Sequence, residues 1–138
     1  MVLIDTSVWI AVLRDKSGAE AVRLRLWLDG REAALARFTQ LELLQGCRDE
    51  REWRLLSDYL ESQIYVEASA ATWPIAARLF FDLRRKGLTV RSTIDCCIAQ
   101  LAIEHDLILL HNDRDFEVIA TFSTLQHLRW ESNALSRF

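Results

Sequence analysis

Five carboxylates occupy positions where a negative charge is costly unless something opposes it. Asp5 follows the short apolar run "VLI". Asp113 and Asp115 follow a second apolar run in the stretch "DLILLHNDRDFEVIA". Glu42 lies in "TQLELLQG" and Asp95 in "STIDCCIAQLA", each close to the start of a helix-like segment. Every one of these acids has a purely structural alternative. Asp5 fits an N-cap before "TSVWIAVL", and Asp113 or Asp115 fits the cap of a helix starting near Arg114. "TQLE" and "STID" match the S/T-x-x-E/D capping pattern. What separates the two readings is whether the surrounding elements bring these acids together.

The chain has 138 residues, 51% of them hydrophobic and 27% charged, with one proline and four glycines. That describes one globular domain, residues 1–138, with a real core and no long linker. Short apolar strands are predicted at Val2–Ile4, in "AALARF", in "QIYVEA", at Leu107–Leu110 and around Gln126–Arg129. Helical segments separate them: "SVWIAVLRD", capped by Thr6 or Ser7; "AEAVRLRLWLDG", stopped at Gly30; "TQLELLQG", opened by Thr39; "EREWRLLSDYLE"; "TWPIAARLFFDLRRKG"; "STIDCCIAQLAIEHD"; and a helix from Arg114. On the helix of Asp95, Ile94, Cys97, Ile98 and Leu101 share the predicted apolar face. Strands alternating with helices predict an α/β fold with a parallel sheet covered on both faces. Ligands of such sheets bind at the carboxyl ends of the strands, where the following helices begin. Asp5, Glu42, Asp95 and Asp113 all belong to that edge.

Several ionised carboxylates within a few ångströms repel one another, and burial raises the cost. A hard divalent cation offsets it, and an all-oxygen ligand set suits Mg²⁺ or Mn²⁺. Such a site is suited to phosphoryl chemistry: it activates water, neutralises developing charge and orients an in-line displacement. An aspartyl-nucleophile phosphatase is disfavoured, because it needs D-x-D and Ser7 stands two residues after Asp5. His105, His111 and His127 have no zinc-ligand spacing, and His111, at a strand end, reads as structural. Cys47, Cys96 and Cys97 form no C-x-x-C pair and read as reduced thiols of a cytosolic protein. The apolar N-terminus carries Asp5 and no basic flank, which argues against a signal peptide, and no apolar run is long enough to span a bilayer. The net charge of −3 gives no global nucleic-acid footprint, so any such contact rests on a local basic patch.

Four stretches in order, "LIDTSVWI", "TQLELLQG", "STIDCCIAQLA" and "LLHNDRDFEVIA", resemble the PIN-domain ribonucleases, specifically the VapC-like toxins of bacterial type II toxin–antitoxin pairs. The resemblance runs from Val2 to about Trp130. It implies a three-layer α/β/α sandwich whose five strands, numbered along the chain, lie in the order 3-2-1-4-5. It also implies that Asp5, Glu42, Asp95 and Asp113 are the four catalytic and metal-holding acids. Asp115 matches a further acid beside the metal, and Thr6, Ser7 and Asn112 match polar positions that support the carboxylates. The implied activity is RNA cleavage with Mg²⁺ or Mn²⁺, leaving 3′-hydroxyl and 5′-phosphate ends. The implied partners are RNA, a VapB-like antitoxin and a second copy of the chain.

Two further features bear on function. "RRKGLTVR" supplies Arg84, Arg85, Lys86 and Arg91 as an RNA-phosphate clamp, against the alternative of cations placed at a helix C-terminus. Trp9, Trp73, Phe80 and Phe81 read as core residues. The rival to an enzyme is a PIN-like scaffold that binds RNA or a partner without cleaving anything; retention of all four acids argues against it.

Overall fold

The computed structural model describes residues 1–131. Five strands, β1 (Val2–Ile4), β2 (Ala33–Ala36), β3 (Tyr65–Val66), β4 (Ile108–His111) and β5 (His127–Arg129), form one sheet in the order β3-β2-β1-β4-β5. Every neighbouring pair is parallel. The register places Ile4 beside Leu110 and Leu3 beside Leu109, so the first and fourth strands end side by side at the centre of the sheet. Among the described residues seven helices cover it: α1 (Thr6–Arg14), α2 (Ala19–Trp27), α3 (Arg37–Gln45), α4 (Glu50–Glu61), α5 (Thr72–Arg85), α6 (Thr93–Glu104) and α7 (Arg114–Ala120). The expected domain extended to residue 138; residues 132–138 lie outside the described ones.

Alternation along the strands divides the core into two layers. Leu3, Ala34, Ala36 and Leu109 face one side, with Leu83 of α5, Ile98 and Leu101 of α6, and Phe116 and Ile119 of α7. Val2, Ile4, Leu35 and Leu110 face the other, with Val8 and Val12 of α1, Leu24 of α2, Leu43 of α3 and Leu60 of α4. Both faces of the central strands are therefore dry, which is why they read as unbroken apolar runs rather than alternating ones. The result is the α/β/α sandwich expected from the sequence.

Local differences have physical causes. β2 stops at Ala36, and Arg37 and Phe38, expected as strand, open α3 without an intervening loop. Thr39 is thus the third residue of α3. Its N-cap is Ala36, and "TQLE" is not a capping box. α1 is capped by Asp5, not by Thr6 or Ser7, both of which lie inside the helix. β3 keeps only two residues of "QIYVEA", because it pairs on one side alone. α6 is covered on several sides, so its buried cysteine is Cys96, while Cys97 is half-buried and Ile94 is exposed. Trp73 and Phe81 are exposed rather than core; Trp73 makes a T-shaped contact with Phe38, at a centroid distance of 6.2 Å.

Candidate active site

Asp5 leaves β1 with its backbone N–H donating to Leu110 O of β4 at 2.9 Å. Its side chain then caps α1: Oδ2 accepts from the Ser7 N–H at 3.0 Å and from Ser7 Oγ at 2.5 Å. The same Ser7 oxygen accepts from the Asn112 N–H at 2.8 Å. One hydroxyl thereby joins the end of β1 to the segment that follows β4, across 105 residues of chain. Asp5 is only 5% exposed. Burial pushes its carboxyl above the ordinary range, the Ser7 hydrogen bonds oppose that shift, and Glu42 adds to it.

Glu42 projects from the second turn of α3. Thr6 Oγ1 donates to Glu42 Oε1 at 2.9 Å and lies 3.0 Å from the Thr39 hydroxyl. Thr39 and Glu42 are three residues apart and share one helix face, which is the same spacing that imitated a capping box in the sequence. Thr6 and Ser7 thus hydrogen-bond to one acid each, Glu42 and Asp5 respectively. Asn112 is tied in through its backbone N–H.

Asp113 caps α7, accepting from the Asp115 N–H through Oδ1 at 3.0 Å. Behind it His111 is fully buried; its Nδ1 accepts from the Asp113 N–H at 3.2 Å, and its Nε2 lies 2.9 Å from His127 Nδ1. Since Nδ1 accepts, the ring proton sits on Nε2 and is donated to His127. Burial, then the neighbouring His127, pushes the His111 pKa down to about 4, so the ring is neutral at pH 7 and serves as a fixed support for the acid-bearing turn.

Asp95 lies in the first turn of α6, whose cap is Ser92. Carboxylate oxygens of Asp95, Asp113 and Asp115 all lie within 4.8 Å of one another. Asp115, expected as an outer acid, is therefore inside the group, and its side chain is more buried than that of Asp113, 8% against 21% exposed. Burial pushes the Asp95 pKa up to about 7, reinforced by the charges of Asp5, Asp113, Asp115 and Glu42 in that order. The charges of the other four acids all raise Asp95, but the close group is Asp95, Asp113 and Asp115; Asp5 and Glu42 lie outside it.

Arg91 provides the neutralisation that the sequence had assigned wholly to a metal ion. Its Nη2 donates to both oxygens of Asp113, at 2.9 and 2.8 Å, and its Nε donates to Asp115 Oδ2 at 2.9 Å. Its backbone N–H reaches the same Asp115 oxygen at 3.2 Å. Sequence reading placed Arg91 with the phosphate clamp and missed its grip on the acids; its position four residues before Asp95 was the available signal. Arg84, Arg85 and Lys86 lie exposed at the end of α5, on the helix's negative pole. A small cleft of about 350 Å³, lined by Thr89, Arg91, Arg114, Asp115 and Val118, opens beside the acids.

The PIN domain family model matches residues 2–121. The chain belongs to the PIN-domain family. This PIN-domain chain is 36% identical over 129 residues to Ribonuclease VapC11 of Mycobacterium tuberculosis (strain ATCC 25618 / H37Rv), covering 91% of this chain and 96% of the relative. It is 32% identical over 130 residues to Ribonuclease VapC51 of the same strain, covering 93% and 90%. Its fold matches the crystal structure of VapBC2 from Rickettsia felis bound to a promoter DNA fragment, with a TM-score of 0.76 at 20% identity over 95% of this chain and 100% of that one. It also matches DNA-bound VapBC from Salmonella typhimurium, with a TM-score of 0.75 at 23% identity over 95% and 100%.

The donor set of the PIN site fits a hard divalent ion. It consists of oxygens only, and three of its carboxylates are within mutual reach.

Proposed function

We propose that this protein is a metal-dependent endoribonuclease acting as the toxin of a toxin–antitoxin pair. The observation that carries this reading is the convergence of Asp95, Asp113 and Asp115, whose carboxylate oxygens lie within 4.8 Å of one another, while Ser7 and Thr6 hold Asp5 and Glu42 at the start of α1. The ribonuclease names of the relatives and the VapBC identity of the structural neighbours support the RNA substrate and a VapB-like antitoxin partner.

Asp5, Glu42, Asp95 and Asp113 would hold Mg²⁺ or Mn²⁺, with Asp115 within direct reach. When bound, the ion supplies Lewis acidity toward the scissile phosphate and acidifies a water. The chain's own groups do the positioning. Ser7 and Thr6 fix the rotamers of Asp5 and Glu42, so these two acids are presented without rearrangement. The neutral His111 fixes the turn of Asp113. Attack by water on phosphorus with departure of the ribose 3′-oxygen leaves 3′-hydroxyl and 5′-phosphate ends. Arg84, Arg85 and Lys86 are free to meet RNA phosphates at the rim, and a homodimer is the proposed assembly.

The test is incubation of purified protein with labelled RNA in Mg²⁺, in Mn²⁺ and in chelator, with the product ends mapped. Cleavage that stops in chelator and leaves 3′-hydroxyl ends is expected. Binding without cleavage would point to a scaffold, and 2′,3′-cyclic phosphate ends would overturn the mechanism.

A further inference from the structure

The cation that Asp113 and Asp115 hold belongs to the chain itself. Arg91 covers both oxygens of Asp113 and one oxygen of Asp115, which leaves Asp115 Oδ1 and the Asp95 carboxylate uncovered. A divalent ion drawing on the same carboxylates would lie within a few ångströms of the guanidinium, and like charges repel strongly at that range. The two cations therefore compete for one set of oxygens.

The attachment of Arg91 suits such competition. Its backbone N–H is anchored on Asp115 Oδ2, so the loop entering α6 stays docked whatever the side chain does. The side chain itself is 72% exposed, so water reaches most of it. It also forms one side of the cleft shared with Thr89 and Arg114, into which it can turn. Rotation about side-chain bonds alone would take the guanidinium off both acids without moving the backbone; Asp113 Oδ2 is then released, while Asp113 Oδ1 and Asp115 Oδ2 keep only their backbone N–H donors.

Resting on the metal-site reading above, we propose that Arg91 is a positioning residue and an internal counter-cation: it holds Asp113 and Asp115 in the metal-free protein and leaves them when a divalent ion enters, thereby setting the ion concentration at which the site fills. Its loss makes the site easier to fill and the empty protein less stable. A guanidinium spans both acids with its fork, whereas the single ammonium of a lysine does not.

The experiment is calorimetric titration of Mn²⁺ into the full chain as wild type, Arg91→Gln and Arg91→Lys, together with thermal melts in chelator. Arg91→Gln is expected to bind Mn²⁺ about tenfold more tightly, equivalent to about 1.4 kcal/mol, in keeping with two ion pairs on a largely exposed side chain. Its melting temperature in chelator is expected to fall, with a larger rise on adding Mn²⁺. Arg91→Lys should lie between Arg91→Gln and wild type. If wild type binds Mn²⁺ and Arg91→Gln binds no more tightly, the counter-cation is overturned while the metal site stands. Arg91→Lys behaving as wild type would reduce the effect to net charge and overturn the two-acid grip. No Mn²⁺ binding by any of the three would remove the metal-site reading and this proposal with it.

Discussion

At the residue scale, the central fact is a division of labour among acids of the same kind. Asp5 and Glu42 are restrained by hydroxyls, Asp113 and Asp115 by a guanidinium, and Asp95 by neither. Its pKa of about 7 in the folded protein, against an ordinary 3.8, means that the folded state holds the Asp95 proton more tightly than the unfolded state. Stability contributed by this group is therefore highest below pH 4, falls as pH rises between about 4 and 7, and stays reduced above 7. Asp95→Asn removes that penalty. In chelator the variant is expected to be more stable than wild type at pH 8, on the order of 2 kcal/mol, and no more stable at pH 4, as read by urea unfolding. In Mg²⁺ it is expected to cleave RNA at least a hundredfold more slowly, roughly the loss of one essential charge-stabilising group. Wild-type cleavage by this variant would remove Asp95 from the machinery.

At the element scale, caps and helix ends separate structural acids from site acids. Asp49 caps α4 by accepting from the Glu52 N–H at 2.8 Å, as Asp5 caps α1 and Asp113 caps α7. Asp49 is exposed and its cap bond goes to Glu52 of its own helix, so Asp49→Ala should cost about 1 kcal/mol of stability and leave the rate of RNA cleavage unchanged. Denaturant midpoints and initial rates on the same preparation check both halves. The end of α5 gives a second test. Arg84 and Arg85 lie over the rings of Phe80 and Phe81, with centroid distances of 5.7 and 5.6 Å, and complement the helix pole. If they also contact RNA phosphates, replacing both with glutamine should reduce the slope of log K against log salt by about 0.7 per lost contact. An unchanged slope assigns them to the helix alone.

At the scale of the whole molecule, the site depends on the two core layers that clamp the sheet. Phe116 is fully buried on α7 and packs against the His111 ring of β4, whose centroid is 5.1 Å away. Phe116→Ala should destabilise the protein by about 3–5 kcal/mol, measured by chemical denaturation, and loosen the turn that carries Asp113. In the cell, expression of wild type without a partner should arrest growth, while Asp5→Ala, equally soluble, should not. Unimpaired growth with abundant soluble wild type would tell against the toxin role and leave the nuclease reading to the RNA assay.

The amino-acid sequence by itself determined the alternation of strands and helices, the burial of both sheet faces and the presence of acids at element boundaries. These follow from short-range rules: periodicity within a few residues, capping preferences, and apolar runs such as "VLI" and "LILL" that only a doubly covered strand accommodates. The candidate acids were picked out by motif resemblance as well as by boundary position. Local pattern failed where a contact is set by tertiary path. Thr39 imitated a cap because its spacing to Glu42 is the same within a helix as at its start, and only the direct junction of β2 with α3 places it inside. Trp73 and Phe81 have core-like side chains, but the orientation of α5 turns them outward. Arg91 reaches Asp113 and Asp115 across 22 and 24 residues, and no local rule links a loop before one helix to the cap of another. That pairing exists because the parallel sheet brings the start of α6 and the end of β4 to the same edge, where exposed guanidinium and crowded carboxylates lower their electrostatic energy by meeting.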